Sequence, residues 1–532
     1  MNNIDFTKGK LFPSIIKFSL PLIFAIVLQA LYGAVDLIVV GQFGSPASQA
    51  AVATGGHVLQ TLTGIITGFT MGITVIIGRI IGSKKKDRLG HVIFDSIVMF
   101  GVFALVVTAV MMGMASLFVK WLHVPDVAAK QCKDYILICS LGSVFIIAYN
   151  VISGIFRGMG NSNLPLVFIA IACVVNIVLD FVFVAGLKMD AAGAALATVI
   201  AQLVSVVCSL VVMVKKRSML GITKQNFKFE KGIAKNIIKI GTPIALQDGL
   251  VNMSFLIIHS LINAMGVAEA AGVGIAEKLF VILSIVPMAL LSTLATVVSQ
   301  NDGAGLRKRT NIALCEAIAM SFVFGLATFL FTYFGGEYLV RIFTTEEEVI
   351  SKTISYLKSS SFEYLLISIT FCMLGYFNGK GEAIFVMLQG LISTFAFRIP
   401  LSYYFSRQPN ANMYLMGLPI TFSSIVALAL CLGYFVFLHF ANKKKMEKAA
   451  KTLGKNAAGG EIIAAETVMS ANGEGFITNE TKYIEQTESF SNQLNGETEQ
   501  TENFSSQPNS ETIEQTENFS NKSNVQTEQT EE

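Results

Sequence analysis

The chain has 532 residues, of which 53% are hydrophobic and only 14% charged, against about a quarter charged in an ordinary soluble domain. Forty Phe, 20 Met and 44 Gly exclude a string of soluble globular domains, which could not hide so much apolar surface, and point to a polytopic membrane protein with close-packed helix seams. The net charge of +3 averages a basic front part and an acidic tail, in which Lys482 and Lys522 are the only basic residues after position 460.

Twelve apolar segments are long enough to cross a bilayer, which takes about 20 residues of helix. The first six are predicted near 14–40, 50–81, 91–119, 135–156, 165–186 and 192–214. A basic linker, 215–236, carries Lys215-Lys216-Arg217. Six more spans follow near 237–262, 270–299, 311–340, 353–377, 383–405 and 414–441, before a polar tail over 442–532. The fold class is therefore all-α, with an N-terminal lobe over 1–214 and a C-terminal lobe over 237–441. Lys and Arg concentrate at the N-terminus, in alternate loops and after the last span, which places both termini in the cytoplasm of a multi-pass plasma-membrane protein. The first apolar run has no cleavage site after it and reads as a retained span. None of the seven Cys (132, 139, 173, 208, 315, 372 and 431) has metal-ligand spacing, so they read as packing residues.

The two sets of six spans are copies. Lys17-Phe-Ser-Leu-Pro21 recurs as Lys239-Ile-Gly-Thr-Pro243, and Gly154-Ile-Phe-Arg-Gly-Met-Gly160 as Gly375-Tyr-Phe-Asn-Gly-Lys-Gly381. Gly82, closing span 2, corresponds to Gly303, closing span 8. An even number of spans per copy makes the repeat parallel, an arrangement suited to two facing bundles and alternating access. Pro21 and Pro243 are expected within the first turns of their helices, as matched hinges or as inherited geometry. Gly64, Gly68, Gly72, Gly78 and Gly82 place a small-residue seam along span 2.

Ionisable groups at bilayer depth are functional candidates. Asp36 lies in the outer part of span 1. Asp180 lies 15 residues beyond Pro165, about 22 Å up span 5 at 1.5 Å per residue. Thr198, on the descending span 6, falls at a similar level. Gln29, Tyr32 and Asp36 form one helix stripe, and Asn176 and Asp180, four apart, form another. Two carboxylates held together away from water resist ionising simultaneously, so such a pocket suits a proton, Na⁺ or an organic cation. Two separately solvated aspartates are the plainer alternative. The second copy has Ile258 and Leu401 at the equivalent places, and instead carries Asp248, Glu277-Lys278, Glu363 and Arg398. Glu363 and Arg398, both near mid-span, are expected to form a buried ion pair, while Asp95 and Glu316 are expected to be solvated near the basic ends.

Across residues 10–440 the chain resembles the multidrug and toxic compound extrusion (MATE) family. The resemblance is carried by Val35-Asp36-Leu-Ile-Val-Val-Gly41, Gly154–Gly160, Asn176-Ile-Val-Leu-Asp180 and Gly193-Ala-Ala-Leu-Ala-Thr198. It implies twelve helices in two lobes and a secondary antiporter, not an enzyme, that exports organic cations in exchange for H⁺ or Na⁺ without another cofactor. It further implies a cation-coupling site, able to take Na⁺, at Asp36, Asn176, Asp180 and Thr198, with Gln29, Tyr32 and Asn150 beside it in the substrate cavity. The span-7 Glu and span-10 Asp of another branch are absent, and Val251 occupies the approximate span-7 position, which places coupling in the N-terminal lobe. The partners implied are small organic cations and membrane lipids, with no nucleic acid and a monomeric state.

The tail contains near-copies of Glu-Gln-Thr-Glu-Asn/Ser-Phe-Ser and is expected to be disordered, after a Lys443-Lys-Lys445 lipid anchor. Gly375–Gly381 is one residue short of a phosphate loop and has no Ser or Thr after its Lys. A lipid or lipid-linked oligosaccharide flippase of the same superfamily remains the alternative, and would favour a cavity with several cationic side chains. A membrane enzyme is disfavoured by five scattered His (57, 91, 123, 259 and 439).

Overall fold

The computed structural model describes residues 3–458, apart from 123, 218–219 and 223–227. All regular structure among them is helical. The N-terminal lobe consists of α1 (Leu11–Phe43), α2 (Pro46–Gly82), α3 (Leu89–Trp121), α4 (Asp126–Gly158), α5 (Asn163–Asp180) and α6 (Asp190–Lys215). The C-terminal lobe begins with α7 (Lys231–Asn263) and continues with α8 (Val267–Leu283), α9 (Ile285–Gly303), α10 (Arg307–Arg341), α11 (Glu347–Ser360) and α12 (Glu363–Gly379). It ends with α13 (Ala383–Leu391), α14 (Ile399–Ser406) and α15 (Met413–Ala458). Ten of these spans, α13 and α14 counted together, are single crossings, and the pairs α8–α9 and α11–α12 make up to two more, bent by 44° and 49°.

Local signals explain the tight turn between α1 and α2. Ser45 caps α2 by accepting a hydrogen bond from Ser48 N at 3.1 Å, and Pro46 sits where a helix has no use for its missing N–H. Helices α4 and α7 begin earlier than the apolar runs suggest, at Asp126 and Lys231, because polar first turns project beyond the hydrocarbon. The helix that crosses last continues to Ala458, which corrects the expectation of disorder from 442. The acidic repeats lie outside the described residues. The prolines also need correction. Pro21 and Pro243 are the eleventh residue of α1 and the thirteenth of α7, well past the first turns, and both helices run on unbroken. The sharp bends lie at Ser284, where Pro287 three residues on has no N–H to give the Leu283 carbonyl, and at Ser361–Phe362, where no proline signals one.

The lobes meet at one end, the basic face, which carries residues 3–9, Lys84, Lys85 and Arg307–Arg309. Its centre is a crossing of α2 and α9 at glycines. A methyl group on Gly82 would overlap the Gln300 carbonyl, and one on Gly303 would come within 2.7 Å of Arg79 Cα. The contact is reciprocal because Arg79 and Gln300 are repeat equivalents, 221 apart, as are Gly82 and Gly303. Gln300 Nε2 donates to the Gly158 carbonyl in the other lobe at 3.0 Å, and Arg79 pairs with Asp302 at 3.5 Å. Alongside, α2 and α7 pack nearly backbone to backbone: a methyl on Gly68 would lie 2.7 Å from Ala245 Cα, and one on Gly72 2.7 Å from the Ile237 carbonyl.

The N-terminal segment straps this junction. Ile4 N donates to the Gly160 carbonyl (2.9 Å) in one lobe. Phe6 N donates to Gln300 Oε1 (3.2 Å) in the other, and Arg309 donates to the carbonyls of Phe6, Lys8 and Gly9. Gly160 bends under the strap at φ +81°, where a side chain would be strained and would strike the Ile4 carbonyl.

Away from the basic face the lobes part. One apolar cluster joins Ile237, Ile240 and Ile244 to the N-terminal lobe, and another joins Phe6, Leu11, Ile15, Phe18 and Leu22 to the C-terminal lobe. The clusters toward the far face, around Val40 and Tyr135 and around Ile262 and Met416, each belong to one lobe. The bundle is a wedge closed at the basic face, with a cavity of about 670 Å³ between the lobes toward the other.

Gly82→Leu tests the crossing. In a background without the native cysteines, it is expected to raise thiol labelling at Ser299→Cys from the basic face at least several-fold. Unchanged labelling would mean that the glycine contact does not hold the wedge shut.

Candidate functional site

The stripe on α1 rises from exposed Gln29 through half-buried Tyr32 to Asp36, which is only 4% exposed. Tyr32 donates its hydroxyl proton to the Thr198 carbonyl on α6 at 3.3 Å, and Thr198 Oγ1 donates to Asp36 Oδ2 at 3.2 Å. These bonds clasp α1 to α6. From α5, Asn176 and Asp180, both fully buried, bring their amide and carboxyl groups against Asp36. Three helices thus deliver the four residues to one place. Val39, Val40, Ala194, Ala195, Tyr135 and Cys139 belong to the apolar cluster around it.

The polar inventory of this cluster does not close on itself. Asp36 Oδ1, both Asp180 oxygens and both polar atoms of the Asn176 amide are buried without a hydrogen-bond partner in the protein. Buried polar groups are normally paired, and a buried unpaired carboxylate costs several kcal/mol. The accessible remedies are a proton shared between the carboxyls or a cation among their oxygens. The free carboxylate and amide oxygens, with Thr198 at the edge, are hard donors of the kind that suit Na⁺ better than a transition metal. Directly after Asp180 the backbone widens into a π-turn over Phe181–Gly186, a distortion frequent at functional sites.

Gln29 stands outside the cluster. Asn150 is buried, and its amide donates to the Ile146 carbonyl one turn back at 2.8 Å. An amide in an apolar helix can satisfy itself locally in this way.

The C-terminal lobe carries a different arrangement. Glu363 and Arg398 form a buried pair at 3.5 Å. Ser424 Oγ donates to Glu363 Oε1 at 3.2 Å, Arg398 Nε donates to Ser423 Oγ at 3.0 Å, and the guanidinium lies 5.2 Å from the Phe255 ring centre. Arg398 closes a second π-turn, Ile392–Arg398. Glu277 lies 2.6 Å from His259 Nε2, a pairing the sequence did not suggest. Asp95 departs from expectation: it is fully buried, with both oxygens 3.2 Å from Glu230 N just ahead of α7. Glu316 is half-buried, with one carboxylate oxygen, Oε2, out of reach of solvent and without a partner among the described residues.

A family model described as MatE matches residues 21–182 and, again, residues 243–404. The chain belongs to the MatE family. The two matches are 222 residues apart, the spacing of the internal repeat, so each lobe is one MatE unit and the protein is a multi-pass membrane transporter. Among curated proteins, the chain is 26% identical over 406 residues to the "Probable multidrug resistance protein YpnP" of Bacillus subtilis, covering 76% of this chain and 91% of that one. It is 21% identical over 451 residues to the "Multidrug export protein MepA" of Staphylococcus haemolyticus, covering 84% and 97%. Among solved structures, an outward-facing multidrug resistance MATE transporter of the MOP superfamily aligns with a TM-score of 0.78 at 21% identity, covering 83% of this chain and 98% of that one. A MOP superfamily transporter from Pyrococcus furiosus, reported with a binding pocket of reverse polarity, aligns with a TM-score of 0.79 at 22% identity, covering 83% and 99%. These likenesses support the MatE fold.

Removing one partner of the C-lobe pair leaves a buried charge, at a cost of roughly 3–5 kcal/mol. Glu363→Arg and Arg398→Glu are each expected to lower the yield of folded protein at least tenfold, and the double exchange to recover most of it, read by size-exclusion chromatography of a fluorescent fusion. No recovery in the double variant would remove the pair from the account.

Proposed function

We propose that the protein is a secondary antiporter that exports organic cations from the cytoplasm in exchange for H⁺ or Na⁺, with the coupling ion bound in the N-terminal lobe. The observation that carries this reading is the meeting of Asp36, Asn176, Asp180 and Thr198 from α1, α5 and α6, with four buried oxygens left for an ion to satisfy. The family supports transport, and the names of the curated relatives support drugs as cargo. With both termini in the cytoplasm, as the distribution of Lys and Arg implies, the basic face is cytoplasmic and the wedge opens outward.

In this form the two carboxyls face the step at which an external ion enters. Before the ion arrives, mutual repulsion in a low-dielectric pocket favours charge from outside. Once a proton or Na⁺ is held, Asp36 and Asp180 draw together, and the clasp from Tyr32 through Thr198 to Asp36 transmits the change to α1 and α6. Repacking of α1, α5 and α6 alters the wall that faces the cleft and releases the bound cation. A ligand drives such a change only through its different affinity for the two forms, which here resides in the pair of acids. The flippase alternative gains no support from the cavity, which has a single cationic side chain, Lys278, among its lining residues.

Asp36→Asn and Asp180→Asn are each expected to reduce ethidium efflux from inside-loaded vesicles by tenfold or more under an imposed inward pH or Na⁺ gradient, with insertion unchanged. Applying the two gradients separately identifies the ion. Efflux at the parent rate in a correctly inserted double variant would refute N-lobe coupling, and lipid scrambling with neither gradient effective would favour the flippase.

A further inference from the structure

The cavity between the lobes has an uneven charge. The N-terminal lobe contributes apolar and amide side chains, among them Leu37, Ile38, Gln42 and Gln49, and the C-terminal lobe contributes Lys278, the only charged residue of the lining. Lys278 is the twelfth residue of α8 and is exposed, so it sits about 16 Å below the start of that helix at 1.5 Å per residue. Among the described residues, no hydrogen bond or ion pair engages its ammonium group. The neighbouring Glu277 makes its contact with His259 Nε2, at 2.6 Å, and forms no ion pair with Lys278 among the described residues. Its repeat equivalent, 222 residues earlier, is Gly56, around which a methyl group would meet nothing within 4 Å. The repeat geometry therefore does not require a lysine here, and a lone ammonium at bilayer depth is costly unless a water-filled cleft hydrates it.

We propose that Lys278 is a specificity-determining residue of the open side of the wedge: its fixed positive charge weakens the hold of the outward cavity on an organic cation, so that exported cargo departs and does not rebind. This rests on the cation-export reading above. The same charge would strengthen the hold on an amphipathic anion of similar size. A unit charge 4–7 Å from a bound ion changes affinity by about three- to fivefold in fully aqueous surroundings, and by more beside a low-dielectric wall.

Fluorescence titration of the purified full-length protein with ethidium, a cation, and with 8-anilinonaphthalene-1-sulfonate, an anion, tests the proposal in parent, Lys278→Gln, Lys278→Glu and Lys278→Arg proteins. Lys278→Gln should tighten ethidium binding about threefold or more and weaken the sulfonate, Lys278→Glu should exaggerate both shifts, and Lys278→Arg should match the parent. Raising ionic strength to about 0.5 M should compress the differences. Equal ethidium affinity across the four proteins, or shifts of the same sign for both dyes, would overturn it. If the parent protein fails to export ethidium from vesicles, the cation-export reading falls by itself, while opposite shifts of the two dyes still establish the charge at Lys278 as the discriminating feature.

Discussion

The contact on which the molecule depends is the crossing of α2 and α9, where Gly82 lies on Gln300 and Gly303 lies on Arg79. Only glycine permits backbones this close, and the closeness brings Gln300 and Arg79 within reach of the opposite lobe. Because the two lobes are copies, the contact is nearly self-complementary, with each lobe offering the other the same helix end. Closing the wedge here separates the lobes at the other end, and so creates the cavity and fixes which walls face it. The N-terminal strap, tied to Gly160 on one side and to Gln300 and Arg309 on the other, reinforces the same junction from outside.

Duplication preserved the crossing but not the charges. In the N-terminal lobe, two acids meet without a basic partner among the described residues. In the C-terminal lobe, Glu363 is matched by Arg398 and the seryl groups of Ser423 and Ser424, so its charge is neutralised within the fold. On the proposed function, the N-terminal lobe responds to the ion gradient and the C-terminal lobe is its stiff counterpart. Both use a π-turn in the corresponding span, after Asp180 and ending at Arg398, but at different depths, in keeping with the different groups they position.

Much of this was legible in the sequence because membrane physics is strict. Apolar length fixed the spans, the recurrence of Gly154–Gly160 as Gly375–Gly381 revealed the repeat, and four-residue spacing put Asn176 and Asp180 on one face. The meeting of Asp36, Asp180 and Thr198 followed from depth on three helices, and the Glu363–Arg398 pair from opposite charges at mid-span. What was hidden depends on partners far apart in the chain. Asp95 looks like a solvated acid until α7 is seen to start against it. The bend at Ser284 had a signal in Pro287 that the apolar run concealed, whereas the bend at Ser361–Phe362 has no single-residue signature. The role of Gln300 had a signal that alignment of the copies exposes, since it stands where the first copy has Arg79.

The most direct test of the central claim, that the charge state of the Asp36–Asp180 pair governs the wedge, is a spin-label distance measurement across its open end. Labels at Gln49→Cys on α2 and Val267→Cys on α8, in a background free of native cysteines, should show two distance populations whose ratio shifts when pH is lowered or Na⁺ is added. The same labels in the Asp36→Asn, Asp180→Asn protein should show one population insensitive to either ion. A double variant that still shifts with pH or Na⁺ as the parent does would contradict the account.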